Sequence, residues 1–174
     1  MSSHGFIGAK ELVYNLTMKR VIVSLFLLFT VLFAEKPKAH KHLPYETLAA
    51  LLQGIEKDAI VLGTGHTKIY VFVDPLCPHS RKFMTMVSGN KVMLSKYRYY
   101  IYLYSIPRLH SEAAVSAIYA SRAPAEQLLK VMVAHEAPEP ETAASTGRIV
   151  SEIAAVAEQI DVYKRPYLIV AKAR

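Results

Sequence analysis

A strand-like run that leads through a proline-rich turn into a helix-like segment constrains the fold of this chain more than any other feature. Residues Ile69–Val73 are β-branched and aromatic with little alternation, which is typical of a strand covered on both faces. The turn carries Cys77, the only cysteine. Pro78 suits the first turn of a helix because its missing N–H is not needed there. The sequence therefore predicts a strand, a turn and a helix, with a thiol at the helix N-terminus.

This placement predicts a reactive thiol. A cysteine is nucleophilic as the thiolate, and the backbone dipoles at a helix N-terminus stabilise that anion. His79, the Ser80 hydroxyl and the basic pair Arg81-Lys82 favour the thiolate further. A lone cysteine can also be buried and inert or paired to another chain, and both alternatives stay open.

The histidines do not complete a metal site. Cys77 with His79 offers too few ligands, and His40 with His42 lacks a third ligand nearby. We therefore predict neither a metal nor another cofactor.

Residues 19–34 have the layout of a secretory signal peptide. Lys19-Arg20 is followed by the apolar run Val21–Phe33 and by Ala34, a small residue at a cleavage point. The apolar run is shorter than the roughly 20 residues of a membrane span, although an uncleaved anchor is the alternative. We predict a leader over 1–34 with Met18 as its true start, a linker over 35–43 and one domain over 44–174.

The net charge of +7 does not indicate a nucleic-acid-binding protein. Basic residues are spread along the chain and form no stripe interleaved with exposed aromatic side chains. A solvated basic surface is the simpler interpretation, and no nucleic-acid partner is predicted.

Strand-like and helix-like segments follow one another in an α/β order. The predicted helices cover residues 45–56, 78–88, 111–122, 124–135 and 145–160, and the predicted strands cover residues 58–63, 68–73, 97–104 and 167–170. Pro166 stands at the start of the last strand, where it costs no ladder hydrogen bond. The tyrosines of the third strand are interpreted as strand residues whose hydroxyls reach water rather than as a binding platform.

This order resembles the thioredoxin fold, with a Cys-Pro-His-Ser turn after the first core strand and a proline before the last one. Residues Val71–Lys82 are similar to the Phe-X-Asp-X-X-Cys-X-X-Cys-X-Lys run of periplasmic disulfide isomerases of the DsbC and DsbG type. The pair Pro78-His79 is found in the active-site motif of the related oxidase DsbA. The resemblance implies a central mixed sheet flanked by helices, with a helical insertion before the proline strand. It also implies that Cys77 attacks substrate disulfides and that Pro166 is a cis-proline that holds a substrate backbone.

Three departures from that family pattern are visible. Ser80 stands where a resolving cysteine is expected, and Arg165 precedes the proline where small or β-branched residues are usual. The chain stops at Arg174, so the terminal strand and helix of the standard fold are expected to be missing. The candidate catalytic residues are therefore Cys77, His79 and Ser80, and the candidate substrate-binding residues are Arg165 and Pro166.

These features predict an exported, periplasmic monothiol protein of the isomerase kind. Its partners would be exported proteins with disulfides and an external thiol or redox protein, and it would be tethered to the membrane if the leader is not cleaved. The alternative is a redox-inert thioredoxin-like adaptor that binds polypeptides in the envelope. Both hypotheses use the same groove beside Pro166, and they differ in whether Cys77 reacts.

Overall fold

The computed structural model describes residue 40 and residues 43–138 and 146–171. The predicted leader and most of the predicted linker lie outside the described residues. None of the helices in the described ranges is long and apolar enough to cross a membrane.

Six helices and four strands make up the described part of the chain. The helices are α1 (Tyr45–Gly54), α2 (Pro78–Ser88), α3 (Lys91–Lys96), α4 (Glu112–Ala120), α5 (Pro124–Met132) and α6 (Thr146–Gln159). The strands are β1 (Ile60–Leu62), β2 (Thr67–Val73), β3 (Tyr97–Leu103) and β4 (Tyr167–Val170), and short 3-10 turns cover Glu56–Asp58 and Pro107–Leu109.

The strands form one mixed sheet in the order β1-β3-β2-β4. Strands β2 and β3 are parallel, with Val73 opposite Leu103 at their carboxyl ends. Strand β1 is antiparallel to β3, and β4 is antiparallel to β2. The predicted mixed α/β architecture is confirmed, and α4, α5 and α6 form the predicted helical insertion between β3 and β4.

Both faces of the two central strands are covered by helices, as the lack of alternation in β2 predicts. On one face, Val71 and Ile101 pack with Met84 of α2 and with apolar side chains of α4 and α5. On the other face, Phe72 and Tyr102 pack with side chains of α1 and α6. Burial on both faces makes β2 and β3 a rigid base for the turn that carries Cys77.

Two details differ from the sequence-based expectations. Helix α3 was not predicted; it is six residues long and is capped by the Asn90 side chain, which accepts the Met93 N–H at 3.0 Å. The prediction that the tyrosine hydroxyls reach water is wrong for Tyr99 and Tyr102. Both hydroxyls are buried without a hydrogen-bond partner among the described residues, because β3 is central to the sheet.

Candidate functional site

Cys77 lies just beyond the carboxyl end of β2, at the N-cap of α2. Its N–H donates to the backbone carbonyl of Asp74 at 3.1 Å, and its carbonyl accepts the Arg81 N–H at 2.9 Å. The first bond closes a tight turn and the second begins the helix. The side chain is only 5% exposed and forms no disulfide.

The loop before β4 lies against the thiol. The Cys77 thiol donates a long, weak hydrogen bond to the Arg165 carbonyl, with 3.9 Å between Sγ and the oxygen. The Arg165–Pro166 peptide bond is cis. The fold therefore brings together the cysteine turn and the Arg165–Pro166 pair, which are 88 residues apart in sequence.

Ser80 and His79, the two other residues of the turn singled out from sequence, point in different directions. Ser80 is fully buried, and its hydroxyl oxygen accepts the Asp74 N–H at 3.2 Å. The Ser80 hydroxyl therefore bonds the backbone of the turn, whereas the sequence indicated a hydroxyl that favours the thiolate. His79 is exposed on the first turn of α2.

The Arg165 side chain is bonded to carbonyls of its own chain. Its guanidinium donates to the carbonyls of Tyr104 and Ser105 at 3.2 Å and of Val162 at 3.3 Å. It also lies 4.0 Å from the centroid of the Tyr104 ring. Burial lowers the pKa of the Arg165 guanidinium, while Tyr104, and more weakly Asp74 and Cys77, favour its charged form. The side chain thus ties the Pro166 loop to the loop after β3, and the backbone carbonyl is the part of Arg165 that reaches the thiol.

Asp74 is the residue of this site that the sequence analysis did not single out. Its side chain is fully buried and accepts four hydrogen bonds. One oxygen accepts the N–H groups of Leu76 at 2.8 Å and Cys77 at 3.1 Å. The other accepts the Ile106 N–H at 2.5 Å and the Ser111 hydroxyl at 2.6 Å. Asp74 therefore joins the cysteine turn to the loop after β3 and to the start of α4. The signal available in the sequence was an aspartate at the end of a buried strand, a residue type that bonds backbone N–H groups two or three positions ahead.

Arg81 places a second guanidinium beneath the turn. Its Nε donates to the Pro75 carbonyl at 2.7 Å, and one of its terminal nitrogens lies 3.1 Å from Nδ1 of His135. His135 follows α5, so this contact fixes α2 against the helical insertion. Arg81 and Arg165 thus each bond a backbone carbonyl in the segments around the cysteine turn.

The described part of the chain holds no cluster of three or more histidine, cysteine, aspartate or glutamate side chains that could bind a metal ion. A cavity of about 750 Å³ lies beneath α1, and its lining includes Leu52, Lys68, Tyr70 and Ala171. Leu52 belongs to α1, Lys68 and Tyr70 to the first half of β2, and Ala171 follows β4, so the cavity is at the opposite end of the sheet from Cys77.

Comparison with known proteins shows solved structures with a fold similar to that of this chain. No protein-family model matches the sequence, and no curated protein matches it significantly. The disulfide interchange protein from Neisseria gonorrhoeae is similar in structure, with a TM-score of 0.53 and 22% identity over 66% of this chain and 80% of that chain. The catalytic domain of Proteus mirabilis ScsC has a TM-score of 0.53 and 10% identity over 71% of this chain and 85% of that one. The thiol-disulfide exchange protein α-DsbA2 from Wolbachia pipientis also has a TM-score of 0.53 and 10% identity, over 72% of this chain and 86% of its own. At these identities the likeness establishes the fold, and the chain has a thioredoxin-like α/β fold resembling that of Dsb-type thiol–disulfide proteins.

Proposed function

We propose that this protein exchanges protein disulfides through a single thiol, Cys77. The observation that carries the proposal is the position of the Cys77 sulfur at the N-terminus of α2, 3.9 Å from the carbonyl that precedes Pro166. A substrate chain lying beside Pro166 would have its disulfide within reach of that sulfur. The solved structures similar to this chain include named thiol–disulfide exchange and disulfide interchange proteins, which supports the same chemistry here.

A helix N-terminus and a guanidinium place positive potential at the Cys77 position. The eleven residues of α2 direct their N-terminal dipole at Cys77, and Pro78 at the first helical position removes no useful donor. The guanidinium of Arg165 adds a positive charge held close by the three carbonyl bonds. Both effects place positive electrostatic potential beside the sulfur that would carry out the exchange.

The exchange step conserves the number of disulfides. The Cys77 thiolate attacks one sulfur of a substrate disulfide, a new Cys77–substrate disulfide forms, and the other substrate sulfur leaves as a thiolate. The proton lost by Cys77 goes to solvent. A second substrate thiolate then attacks the mixed disulfide at the substrate sulfur, which releases the Cys77 thiolate and leaves the substrate with a different pairing.

Isomerisation is the reaction that suits a single thiol. Ser80 occupies the position of a resolving cysteine and cannot form a disulfide with Cys77, so the chain alone cannot oxidise or reduce a dithiol. Release from a trapped adduct requires a thiol of the substrate or an external low-molecular-weight thiol. His79, exposed on the first turn of α2, would assist proton transfer, and Ser80 would hold the turn through Asp74.

We further propose that the protein works in the periplasm on exported proteins with disulfides. The support is the leader-like pattern of residues 19–34, with cleavage after Ala34. An uncleaved leader would instead tether the same domain to the membrane.

A redox-inert adaptor is the competing function, and the burial of Cys77 favours it. A thiol that is 5% exposed must become accessible before it can react. The two functions make opposite predictions about the reactivity of the folded protein.

The first test is the reaction of the purified protein with a cysteine peptide activated as a mixed disulfide with thionitrobenzoate. We expect one equivalent of thionitrobenzoate to be released per chain, and mass spectrometry to locate the peptide on Cys77. The rate constant should exceed that of the urea-unfolded protein by about tenfold, because only the folded protein directs the N-terminus of α2 and the Arg165 guanidinium at the sulfur.

The Cys77→Ser variant is the control and should release nothing. A substrate protein with scrambled disulfides should regain its activity faster with the wild-type protein than with this variant. A native rate no higher than the unfolded rate would contradict the exchange function and support the adaptor.

A further inference from the structure

Three segments surround Cys77, and we call their exposed side chains the thiol rim. The segments are residues 74–80, 104–111 and 161–166. Asp74 bonds the first segment to the second through Ile106 and Ser111, and Arg165 bonds the third to the second through Tyr104 and Ser105. These bonds hold the three segments together beside the turn that carries Cys77.

The thiol rim carries charge of predominantly one sign. Arg108 and Lys164 are exposed, and so are the side chains of His79 and His110. Only two carboxylates belong to the three segments. Asp74 is fully buried and bonded within the fold, and Asp161 has its Oδ2 atom 3.0 Å from the His40 ring.

We propose that the thiol rim selects disulfides that lie in acidic polypeptide segments. This inference rests on the proposed function, since it names the substrate class of the same thiol. Charges of one sign around a reactive group raise the local concentration of oppositely charged partners and speed encounter. Carboxylates that flank a substrate cysteine would face Arg108 and Lys164 while the disulfide lies against Cys77.

The test compares three activated peptides that differ only in the residues flanking the cysteine, which are glutamate, glutamine or lysine. We expect the glutamate peptide to react roughly tenfold faster than the lysine peptide at about 10 mM ionic strength, where the Debye length is about 30 Å. The two rates should converge at about 1 M salt, where the Debye length is about 3 Å. Equal rates for the glutamate and lysine peptides at low salt would overturn the proposal.

Two double variants separate the thiol rim from the overall charge. In Arg108→Gln with Lys164→Gln, the ratio of glutamate to lysine rates should fall toward one. Lys91→Gln with Lys96→Gln removes the same charge from α3, which precedes β3 at the opposite end of the sheet, and should leave the ratio unchanged. An equal fall in both variants would contradict the proposal, because it would assign the preference to net charge.

Failure of the selectivity is distinguishable from failure of the exchange function. If the glutamine peptide reacts with the folded protein about tenfold faster than with the unfolded protein, the thiol is active whatever the ratio of the charged peptides. If none of the three peptides reacts faster with the folded protein, both proposals fail.

Discussion

The cysteine turn depends on the Asp74 carboxylate more than on any other side chain. Replacing it with asparagine keeps one acceptor oxygen but turns the other into a donor, which faces the Ile106 N–H and the Ser111 hydroxyl. Buried donors left without an acceptor cost about 1–3 kcal/mol each, so with two such donors we expect Asp74→Asn to lower the free energy of unfolding by about 2–6 kcal/mol. Cys77 should also be alkylated faster, because the turn that buries it loosens.

Urea unfolding and the rate of iodoacetamide alkylation measure these two effects. Asp58→Asn is the matched control. The Asp58 side chain is also buried and pairs with Arg148 over a distance of 3.2 Å, but it lies in the turn before β1 and not in the cysteine turn. It should lower stability without changing the alkylation rate of the folded protein. A similar rise in alkylation for both variants would assign the effect to general destabilisation.

The sequence could predict part of this site at the level of residues. The meeting of Cys77 with the Arg165–Pro166 pair was implied by the resemblance to the thioredoxin fold, which the cysteine turn after one strand and the proline before another carried. The partners of Asp74 could not be predicted, because Ile106 and Ser111 are 32 and 37 residues away and only the tertiary fold brings them near. The same holds for Arg165, whose charge was predicted but whose bonds to Tyr104 and Ser105 were not.

Among the elements, strand β3 carries a buried tyrosine that makes the free energy of unfolding depend on pH in the alkaline range. Burial raises the pKa of Tyr102 above its ordinary value of about 10, and Tyr70 and Tyr119 are shifted in the same direction for the same principal reason. Above that value these tyrosines ionise in the unfolded chain while the folded protein keeps them neutral. Their contribution to stability is therefore fully present below about pH 10 and is lost as the pH rises further.

We expect the free energy of unfolding to fall above about pH 10, with a shallower fall in Tyr102→Phe. Phenylalanine keeps the ring that lies 5.1 Å from Phe72 but has no hydroxyl to ionise. Urea unfolding at a series of pH values, with tyrosinate absorbance as a second readout, measures the slope. An unchanged slope in Tyr102→Phe would contradict the assignment.

The elements differ in how well the sequence predicts them. Helix α2 was predicted with its observed ends because Pro78 and Gly89 mark them. Helix α3 was missed because six residues are too few for a helical period to be recognised. Its position depends on the close approach of the turn after β1: a Cβ at Gly65 would lie 2.0 Å from the Lys96 carbonyl carbon, a contact that sequence alone does not reveal.

At the scale of the whole molecule, the order of elements was enough to predict the α/β class, and the apolar run of β2 was enough to predict that helices cover both faces of the sheet.

The exposure of β4 was not predicted. It pairs only with β2 in the described part of the chain, and the side chains of Leu168 and Val170 are 45% and 58% exposed. Its outer edge therefore combines backbone groups outside the ladder with apolar side chains, a combination that favours strand pairing between molecules.

We expect the protein to associate reversibly as its concentration rises, through this outer edge of β4. Val170→Lys should weaken the association, because a charge on an edge strand opposes pairing with a second strand. Sedimentation velocity over a range of concentrations measures the effect. Val92→Lys is the matched control, since Val92 is 73% exposed but lies on α3, where the backbone is not arranged to pair with a strand. If both lysine variants weakened association equally, the added charge rather than the β4 edge would be the cause. A wild-type protein that stays monomeric at every concentration would contradict the role of the edge altogether.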